Sequence, residues 1–310
     1  MRHQICDWAS YLGGTRSIQM PIATYFDDRM VCETGGFSPS GTKPKQVVEG
    51  WLECDAVAIS SFSPATIEDL CLAHDRKYVA GIFAGTYANG HGNRSLAIAN
   101  STLWTVGSMV AAAQAAMDRG VACSPSSGFH HAHYECGGGF CTFNGLVVAA
   151  RKLLNEGIAK RIGILDCDWH FGDGTDSILR HLRLRSQIQH RTSGSEQFSD
   201  EAEYQCWLEE SLTSLWEFSV DLILYQAGAD AHCNDPLGGL LQDETMALRD
   251  ETVFDYCSAK KIPVAWNLAG GYQRSKDGEI SKVIELHRRT MQECIAIYCP
   301  SDARSSGDSL

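Results

Sequence analysis

Uninterrupted apolar runs alternate with helical patterns along most of the chain. The runs are predicted to form buried strands, and they occupy residues 20–26, 55–60, 161–168, 220–228 and 262–271. In the C-terminal half the order is strand, helix, strand, helix, strand. Because these runs are continuously apolar rather than alternating, they are typical of a parallel sheet that helices cover on both faces. The pattern therefore predicts an α/β fold.

Helical patterns of apolar and polar positions fill the segments between these runs. We expect helices at 63–74, 101–120, 144–157, 201–218, 243–261 and 278–298. Ser63 and Pro64 suit the N-cap and the first helical position of the earliest of these helices. Gly120 and Gly157 are typical helix-ending residues, and we expect them to close the second and the third helix.

The composition bounds the size and the location of the protein. The chain has 310 residues, of which 44% are hydrophobic, and this is enough for one large core. We expect a single domain over 1–300 and a polar, disordered tail over 301–310. No apolar run approaches the roughly 20 residues that span a membrane, and the N-terminus lacks the apolar segment of a signal peptide. We therefore expect a cytoplasmic protein that has no membrane partner.

Charge and cysteine usage exclude two further classes of protein. The formal net charge is −12, and such an acidic surface repels phosphates, so nucleic acid is not an expected partner. The chain has 13 cysteines but no Cys-x-x-Cys motif, so we expect reduced thiols that fill the core. A local disulfide or metal clip between Cys136 and Cys141 is the minor alternative. The sequence does not indicate an oligomeric state.

Acidic side chains and a histidine cluster at the end of the predicted strand at 161–168. Here the chain runs Asp166-Cys-Asp168-Trp-His170 and then reaches Asp173. Side chains at positions i, i+2 and i+4 of an extended segment share one face, so the first three are expected to point the same way. Three carboxylates this close together repel one another unless a cation or histidines neutralise them.

Polar side chains also follow two other predicted strands and fill a glycine-rich loop. Asp230 and Tyr272 each follow a strand, and the adjacent His130 and His131 precede the helix at 144–157. Taken alone, an aspartate after a strand is typical of a helix cap, and a histidine pair in a loop is usually exposed. Ligands of parallel sheets, however, bind outside the carboxyl ends of the strands. The coincidence of these loops at one sheet edge therefore favours a metal site.

The residue types at this edge favour hydrolysis of an amide. Two carboxylates and one imidazole suit a catalytic Zn²⁺ or a non-haem Fe²⁺ with an open position. Such an ion activates water, nearby histidines move protons, and a tyrosine hydroxyl stabilises a developing oxyanion. This reasoning leaves the separate roles of the two adjacent histidines open.

Four segments resemble the zinc-dependent histone deacetylase superfamily, which includes bacterial deacetylase-like, class II-like amidohydrolases and acetylpolyamine amidohydrolases. They are "SGFHHAHYECGGGFCTFNGLVVAA", "ILDCDWHFGDGT", "LYQAGADAHCNDPLGG" and "NLAGGY". The resemblance is strongest over 120–175 and 220–275. It implies an arginase/deacetylase-like three-layer α/β fold with a central, mostly parallel eight-stranded sheet.

The resemblance also implies a ligand set and a substrate channel. The implied zinc ligands are Asp168, His170 and Asp230. Tyr272 would polarise the acyl carbonyl opposite the zinc. The implied residues of the channel that admits an acyl-lysine side chain are Gly139, Phe140, Cys141 and Leu237.

Two histidine–aspartate pairs complete the site that the resemblance implies. His131 would act as general base and acid, with His130 as its electrostatic partner. Asp166 would orient His130, and Asp173 would orient His131.

The chain departs from the family pattern at three places. The family usually has a second histidine where this chain has Phe171, and often a glutamate where it has Ala269. The segment 180–205 is short and polar. It should contain a strand that helps to hold a structural potassium ion and one channel aromatic, and neither can be placed there from the sequence.

The resemblance implies a zinc-dependent deacylase for acyl-lysine, with two alternatives. Polyamine-preferring relatives carry an acidic residue at the position of Leu237, and its absence here favours acyl-lysine peptides. One alternative is an amidohydrolase for small N-acylated amines such as acetylpolyamines. The other is a non-catalytic acyl-lysine binder that keeps the pocket but not the chemistry.

Overall fold

A computed structural model describes residues 20–300, in which strands and helices largely alternate. The strands are β1 (Ile22–Thr24), β2 (Val57–Ile59), β3 (Val121–Ser124), β4 (Ile162–Asp166), β5 (Ile188–Thr192), β6 (Leu222–Gly228) and β7 (Val264–Ala269). The α-helices are α1 (Lys43–Trp51), α2 (Ile67–Leu70), α3 (Arg76–Phe83), α4 (Leu96–Arg119), α5 (Gly145–Asn155), α6 (Asp173–His181), α7 (Glu201–Glu217), α8 (Asp243–Lys260) and α9 (Ser281–Tyr298). Short 3₁₀ helices lie at Asp28–Met30, Ser193–Ser195 and Ala229–Ala231.

The strands form one sheet in the order β2-β1-β3-β7-β6-β4-β5, and every pairing is parallel. The predicted α/β fold with a parallel sheet is therefore confirmed. The sheet has seven strands within residues 20–300 rather than the eight that were expected. Because the strands are parallel, all their carboxyl ends lie at the same edge of the sheet.

Two apolar layers cover the two faces of the sheet. One cluster of buried side chains draws on α3, α4, α5 and α6, and the other draws on α1, α7, α8 and α9. Strand β6 contributes alternately, with Leu222 and Leu224 in the first cluster and Ile223 and Tyr225 in the second. Since successive side chains of a strand point to opposite faces, both faces of a central strand must be apolar. This explains the uninterrupted apolar run that predicts the strand.

The helix ends follow local capping chemistry, and one predicted cap is wrong. Helix α2 begins after Thr66 rather than after Ser63, because the Thr66 hydroxyl accepts from Asp69 N at 3.1 Å and Thr66 N donates to Asp69 Oδ2 at 2.9 Å. These reciprocal bonds satisfy the backbone N–H groups of both Thr66 and Asp69. Gly120 ends α4 with a φ of 83°, as predicted. Gly157, with a φ of 70°, lies just beyond the end of α5.

Five elements were not predicted: α1, α3, α6, β3 and β5. Strand β5 is an edge strand whose three middle residues are only half-buried, so it lacks a continuous apolar run. Helix α6 begins at Asp173, inside the acidic cluster, where polar residues conceal the helical pattern. The segment 180–205 thus contains a strand after all, but a polar one.

Helix α4 corrects the expectation that no segment is long and apolar enough to cross a membrane. It has 24 residues and a mean hydropathy of 1.3 over its most apolar window. By length and composition alone, it is long and apolar enough to cross a membrane. Half of that window is buried inside the protein, however, and α4 packs against β3, β7 and α5. An apolar helix of this kind is typical of a protein core, and the cytoplasmic location stays a prediction.

Two further predictions concern the bounds of the domain and the state of the cysteines. The single domain over 1–300 and the disordered tail over 301–310 extend outside the described residues and stay predictions. Among the described residues the cysteines are free thiols, as expected, but only five of the twelve are buried, so most of them do not fill the core. Cys136 is exposed and Cys141 is buried, and the two are not joined.

Candidate active site

The site lies at the carboxyl edge of four neighbouring strands, β3, β7, β6 and β4. The loops that follow these strands carry the residues that the sequence singled out. The histidine pair follows β3, the acidic cluster follows β4, Asp230 follows β6 and Tyr272 follows β7. Since adjacent parallel strands end side by side, residues more than 100 positions apart in the chain meet here.

Asp168, His170 and Asp230 form a compact group of potential metal ligands. One ligand atom from each residue lies within 4.8 Å of those of the other two. His170 Nδ1 lies 2.9 Å from Asp230 Oδ2 and 3.2 Å from Asp168 Oδ1. Both carboxylates are buried, while the imidazole is partly exposed.

The electrostatics of this group call for a cation. Burial and the charge of Asp168 raise the pKa of Asp230 to about 7. Hydrogen bonds to Asp168 and Asp230 raise the pKa of His170 to about 11. Two buried carboxylates therefore hold a proton on the imidazole to offset their charge, and a divalent cation would offset it more fully. Two carboxylate oxygens and one imidazole nitrogen are a donor set that suits Zn²⁺ or Fe²⁺, so the residues fit such an ion.

Two glycines that were not predicted as site residues allow this close approach. A Cβ atom at Gly270, whose φ is +48°, would lie 2.2 Å from Asp230 Cγ. A Cβ atom at Gly228 would lie 2.4 Å from Asp168 Cα. Contacts this short are forbidden, so a side chain at either position would displace one of the two buried carboxylates.

His130 and Asp166 form a fully buried pair beside this group. His130 Nδ1 lies 2.8 Å from Asp166 Oδ2, and Asp166 Oδ1 accepts from Gln226 Nε2 at 2.9 Å and from Asp168 N at 3.2 Å. His190 from β5 lies beyond, with its Nε2 3.6 Å from Asp166 Oδ2. Burial opposes the charge of His130, but Asp166 and Asp168 outweigh it and raise the pKa of His130 to about 9. The pair thus favours an imidazolium next to a carboxylate.

His131 and Asp173 form a second pair, which is half-exposed. His131 Nδ1 lies 2.7 Å from Asp173 Oδ1, and the Asp173 side chain is 45% exposed. The two imidazole rings of His130 and His131 have centroids 4.0 Å apart. Burial and the charge of His130 lower the pKa of His131 below its usual value. His131 is therefore neutral near pH 7, with Nδ1 bound to the carboxylate and Nε2 free to accept a proton.

Tyr272 is held by its backbone and by two aromatic rings. Its N–H donates to Asp235 Oδ2 at 2.7 Å, and its ring stacks on Phe37 with centroids 5.8 Å apart. Phe140 approaches it at 5.8 Å between centroids. The carbonyl of Gly270, two residues earlier, accepts a hydrogen bond from the fully buried Lys43. Burial and the nearby carboxylates raise the pKa of Tyr272, so its hydroxyl keeps a proton that it can donate.

The predicted channel residues surround these groups. A Cβ atom at Gly139 would lie 2.3 Å from His131 Cδ2, so only glycine fits beside this imidazole. Phe140 has a φ of +66° and its N–H donates to Gly90 O at 3.0 Å. Cys141 is buried, whereas Leu237 is 41% exposed and its carbonyl lies 3.2 Å from His170 Nε2. The first two residues of this set thus lie against His131 and Tyr272, and the last lies at the surface beside His170.

The departures from the family pattern have different structural outcomes. Phe171 is 41% exposed, and Ala269 is buried in β7. In the segment 180–205, Phe198 packs against Trp169 and Tyr204. Within residues 20–300, the aromatic ring that stacks on Tyr272 comes instead from Phe37, far upstream.

Several residues of the site were missed by sequence reasoning. They are Phe37, Lys43, His133, His190, Gln226, Gly228, Asp235 and Gly270. Phe37, Lys43 and His190 lie outside the quoted segments, and their roles depend on partners far away in the chain. The other five lie within those segments, and His133 had the clearest signal, because it belongs to "HHAH" and lies two residues after His131.

The chain matches a family model and several known proteins. The model is described as Histone deacetylase domain and matches residues 45–189 and 185–287. An uncharacterized protein of Picosynechococcus sp. is 32% identical over 238 residues, which are 70% of this chain and 79% of that protein. Histone deacetylase 2 of Arabidopsis thaliana is 31% identical over 203 residues, which are 58% of this chain. This chain spans only about half of that relative, since the match covers 51% of it.

Two solved structures share the fold at low sequence identity. The HD domain of HDA15 superposes with a TM-score of 0.70 at 18% identity, covering 92% of each chain. An acetylpolyamine aminohydrolase from Burkholderia pseudomallei superposes with a TM-score of 0.68 at 18% identity, covering 89% of this chain and 99% of that one. At this identity the likeness concerns the fold alone.

Proposed function

The chain belongs to the histone deacetylase family, and on that premise we propose that it is a zinc-dependent deacylase that hydrolyses the amide of acyl-lysine side chains. The observation that carries the proposal is the convergence of Asp168, His170 and Asp230 beside two histidine–aspartate pairs and a tyrosine. Asp168, His170 and Asp230 would hold the ion. When bound, a divalent ion of this kind polarises the acyl carbonyl and lowers the pKa of an attacking water.

The residues of the chain divide the proton transfers between them. His131, neutral near pH 7, accepts the proton of the attacking water at Nε2 and returns it to the leaving amine. Asp173 holds the opposite nitrogen in the N–H form. His130 acts as the electrostatic partner of His131, because its Nδ1 lies 2.8 Å from Asp166 Oδ2 and the two imidazole rings have centroids 4.0 Å apart. The Tyr272 hydroxyl donates to the same oxyanion, and its raised pKa keeps it protonated.

The surroundings of the site support an acyl-lysine substrate. The rings of Phe140 and Tyr272 have centroids 5.8 Å apart, and Phe140 directly follows Gly139, which lies against His131. Apolar ring faces of this kind suit the methylene chain of a lysine. Leu237, at the surface beside His170, supplies no charge that would select a second amine.

A second candidate is hydrolysis of small N-acylated amines such as acetylpolyamines. The formal net charge of −12 favours this reading, since an acidic surface attracts polycations. Comparing the turnover of an acetyl-lysine peptide with that of N-acetylputrescine separates the two candidates.

The metal assignment is tested by metal analysis of single variants. Asp168→Ala and Asp230→Ala should lose stoichiometric zinc together with turnover of a fluorogenic acetyl-lysine peptide. Tyr272→Phe should keep its zinc but lose most turnover, roughly 100-fold, because it removes only an oxyanion donor. Full zinc occupancy in either aspartate variant would contradict the ligand assignment. If the wild-type protein bound a hydroxamate but did not turn over the acetyl-lysine peptide, the non-catalytic binder would be favoured.

The structural potassium ion stays a prediction. The Ser193 hydroxyl, just after β5, donates to Asp168 O at 2.6 Å and so links the segment 180–205 to the loop that carries the acidic cluster. Whether potassium binds near this link is a question for flame photometry of the purified protein.

A further inference from the structure

The carboxylate of Asp173 binds two histidines, one on each oxygen. Its Oδ1 lies 2.7 Å from His131 Nδ1, and its Oδ2 lies 3.2 Å from His133 Nε2. Partial burial alone would raise the pKa of Asp173, but the hydrogen bond from His131 lowers it below its usual value. An ionised carboxylate only accepts hydrogen bonds, so both imidazole nitrogens must donate to it.

Asp173 needs such a second partner because little else restrains it. Its side chain is 45% exposed, and it lies at the first position of α6, where it can turn towards water. Among residues 20–300, the one other hydrogen bond to its carboxylate comes from Gly174 N, which donates to Oδ1 at 2.9 Å. Without a donor on Oδ2, the carboxylate can rotate and exchange His131 for solvent.

His133 is held firmly enough to act as that donor. Its N–H donates to Cys136 O at 2.8 Å, and its carbonyl lies 2.8 Å from His74 Nδ1. His74 is buried, and burial lowers its pKa to about 4, so it stays neutral. Its Nε2 accepts from Asn144 N at 2.8 Å, and its Nδ1 is therefore the atom that carries the proton. The backbone of His133 is thus fixed by two neighbouring segments, while its imidazole is 35% exposed and reaches Asp173.

We propose that His133 is a positioning residue for the reaction. By donating to Asp173 Oδ2 it keeps Oδ1 aimed at His131 Nδ1, and this holds His131 as the tautomer whose Nε2 is free to take a proton. The kinetic part of this inference rests on the proposed role of His131 in catalysis. Its structural part, the tautomer of His131, does not depend on any activity.

The test compares three variants of the full-length chain. His133→Leu removes the donor at similar bulk, and His133→Gln keeps an N–H donor that can reach Asp173. His181→Leu is the matched control, because His181 lies in α6 on the surface and stacks on Tyr134 without touching Asp173. Two-bond ¹H–¹⁵N correlation spectra of the imidazoles report the His131 tautomer directly.

Two readouts should change together. In His133→Leu, the His131 ring nitrogens should shift towards values averaged between the two tautomers, and kcat should fall about tenfold while KM stays within twofold. His133→Gln should restore both readouts to near the wild-type values, and His181→Leu should change neither.

The outcomes separate this inference from the proposed function. An unchanged His131 tautomer in His133→Leu overturns the inference, whatever the kinetics show. A wild-type protein without turnover overturns the proposed function but leaves the spectra to decide the role of His133. If His133→Leu does not fold, His133→Ser replaces it, since serine is too short to reach Asp173.

Discussion

The two histidine–aspartate pairs of the site are alike in chemistry and opposite in surroundings. The His130–Asp166 pair is completely buried, and three groups besides His130 lie around the carboxylate of Asp166. The His131–Asp173 pair opens to solvent at the first turn of α6. Because the first pair is buried, an unpaired charge costs more free energy there than in the second pair. The second pair is exposed and can exchange protons with the solvent.

Because of this difference, the two histidines differ in protonation near neutral pH. The charges around His130 raise its pKa to about 9, so it is a cation near neutral pH. That cation and burial lower the pKa of His131, so it is a base near neutral pH. One imidazole thereby tunes its neighbour at a centroid distance of 4.0 Å. Two titratable groups whose environments separate their pKa values are the usual sign of divided acid and base roles.

The largest expected effect comes from neutralising each carboxylate in turn. Asp166→Asn leaves the buried His130 without its counter-charge, and we expect a loss of about 3 kcal/mol in the free energy of unfolding. Asp173→Asn removes a half-exposed acceptor, and the corresponding loss should stay below about 1 kcal/mol. Urea denaturation of the metal-free proteins measures both, each variant serving as the control for the other. Equal losses would mean that burial does not distinguish the two pairs.

An effect of similar size is expected in the pH dependence of stability without metal. The unfolded chain releases histidine protons near pH 6.5, whereas the folded protein keeps the proton of His130 up to about pH 9. The stability that this proton provides is therefore complete below pH 6.5 and is lost as the pH rises to 9. It amounts to about 3 kcal/mol over this window. His170, whose pKa is raised to about 11, adds a similar slope that continues above pH 9.

Two variants isolate the contribution of His130. Between pH 6.5 and 9, the free energy of unfolding should fall less steeply with pH in His130→Gln than in the wild-type protein, because the variant lacks one titrating proton. His131→Gln should leave that slope unchanged, because the lowered pKa of His131 makes it neutral in both states above pH 6.5. Chemical denaturation at a series of pH values gives these slopes. A flattened slope in His131→Gln would show that His131, and not His130, carries the additional proton.

The smallest effect concerns Phe171, which lies between Asp166 and Asp173 in the chain. The family usually has a histidine here, but the Phe171 side chain is 41% exposed. We expect Phe171→Ala to change zinc affinity and turnover by no more than about twofold, as is usual for exposed positions. A loss of tenfold or more in either quantity would show that the loop between the two pairs depends on this ring.

The sequence predicted the parts of the fold that local patterns encode. The apolar runs of β4, β6 and β7 and the patterns of α5, α7, α8 and α9 identified a parallel α/β fold, because a strand covered on both faces has no polar side. The motifs around Asp168, His170 and Asp230 were conspicuous because they place polar side chains directly after apolar strands. Strand β5 and helix α6 escaped prediction because an edge strand and a helix that begins in a polar cluster lack those signals.

The tertiary structure decided the different surroundings of residues that are alike in type. Asp166 and Asp173 lie seven positions apart, yet one is buried and the other half-exposed, because the first ends a central strand and the second begins a surface helix. Lys43 reaches Gly270 across 227 positions of the chain. Local patterns report the surroundings of a segment only on average, whereas burial and charge at one atom depend on groups that the fold brings from elsewhere. The motif therefore predicted a metal site with two histidines beside it, and the family resemblance implied which of them is the base. The packed sheet edge supplied the physical reason, since burial and neighbouring charges shift the pKa values of the two histidines in opposite directions.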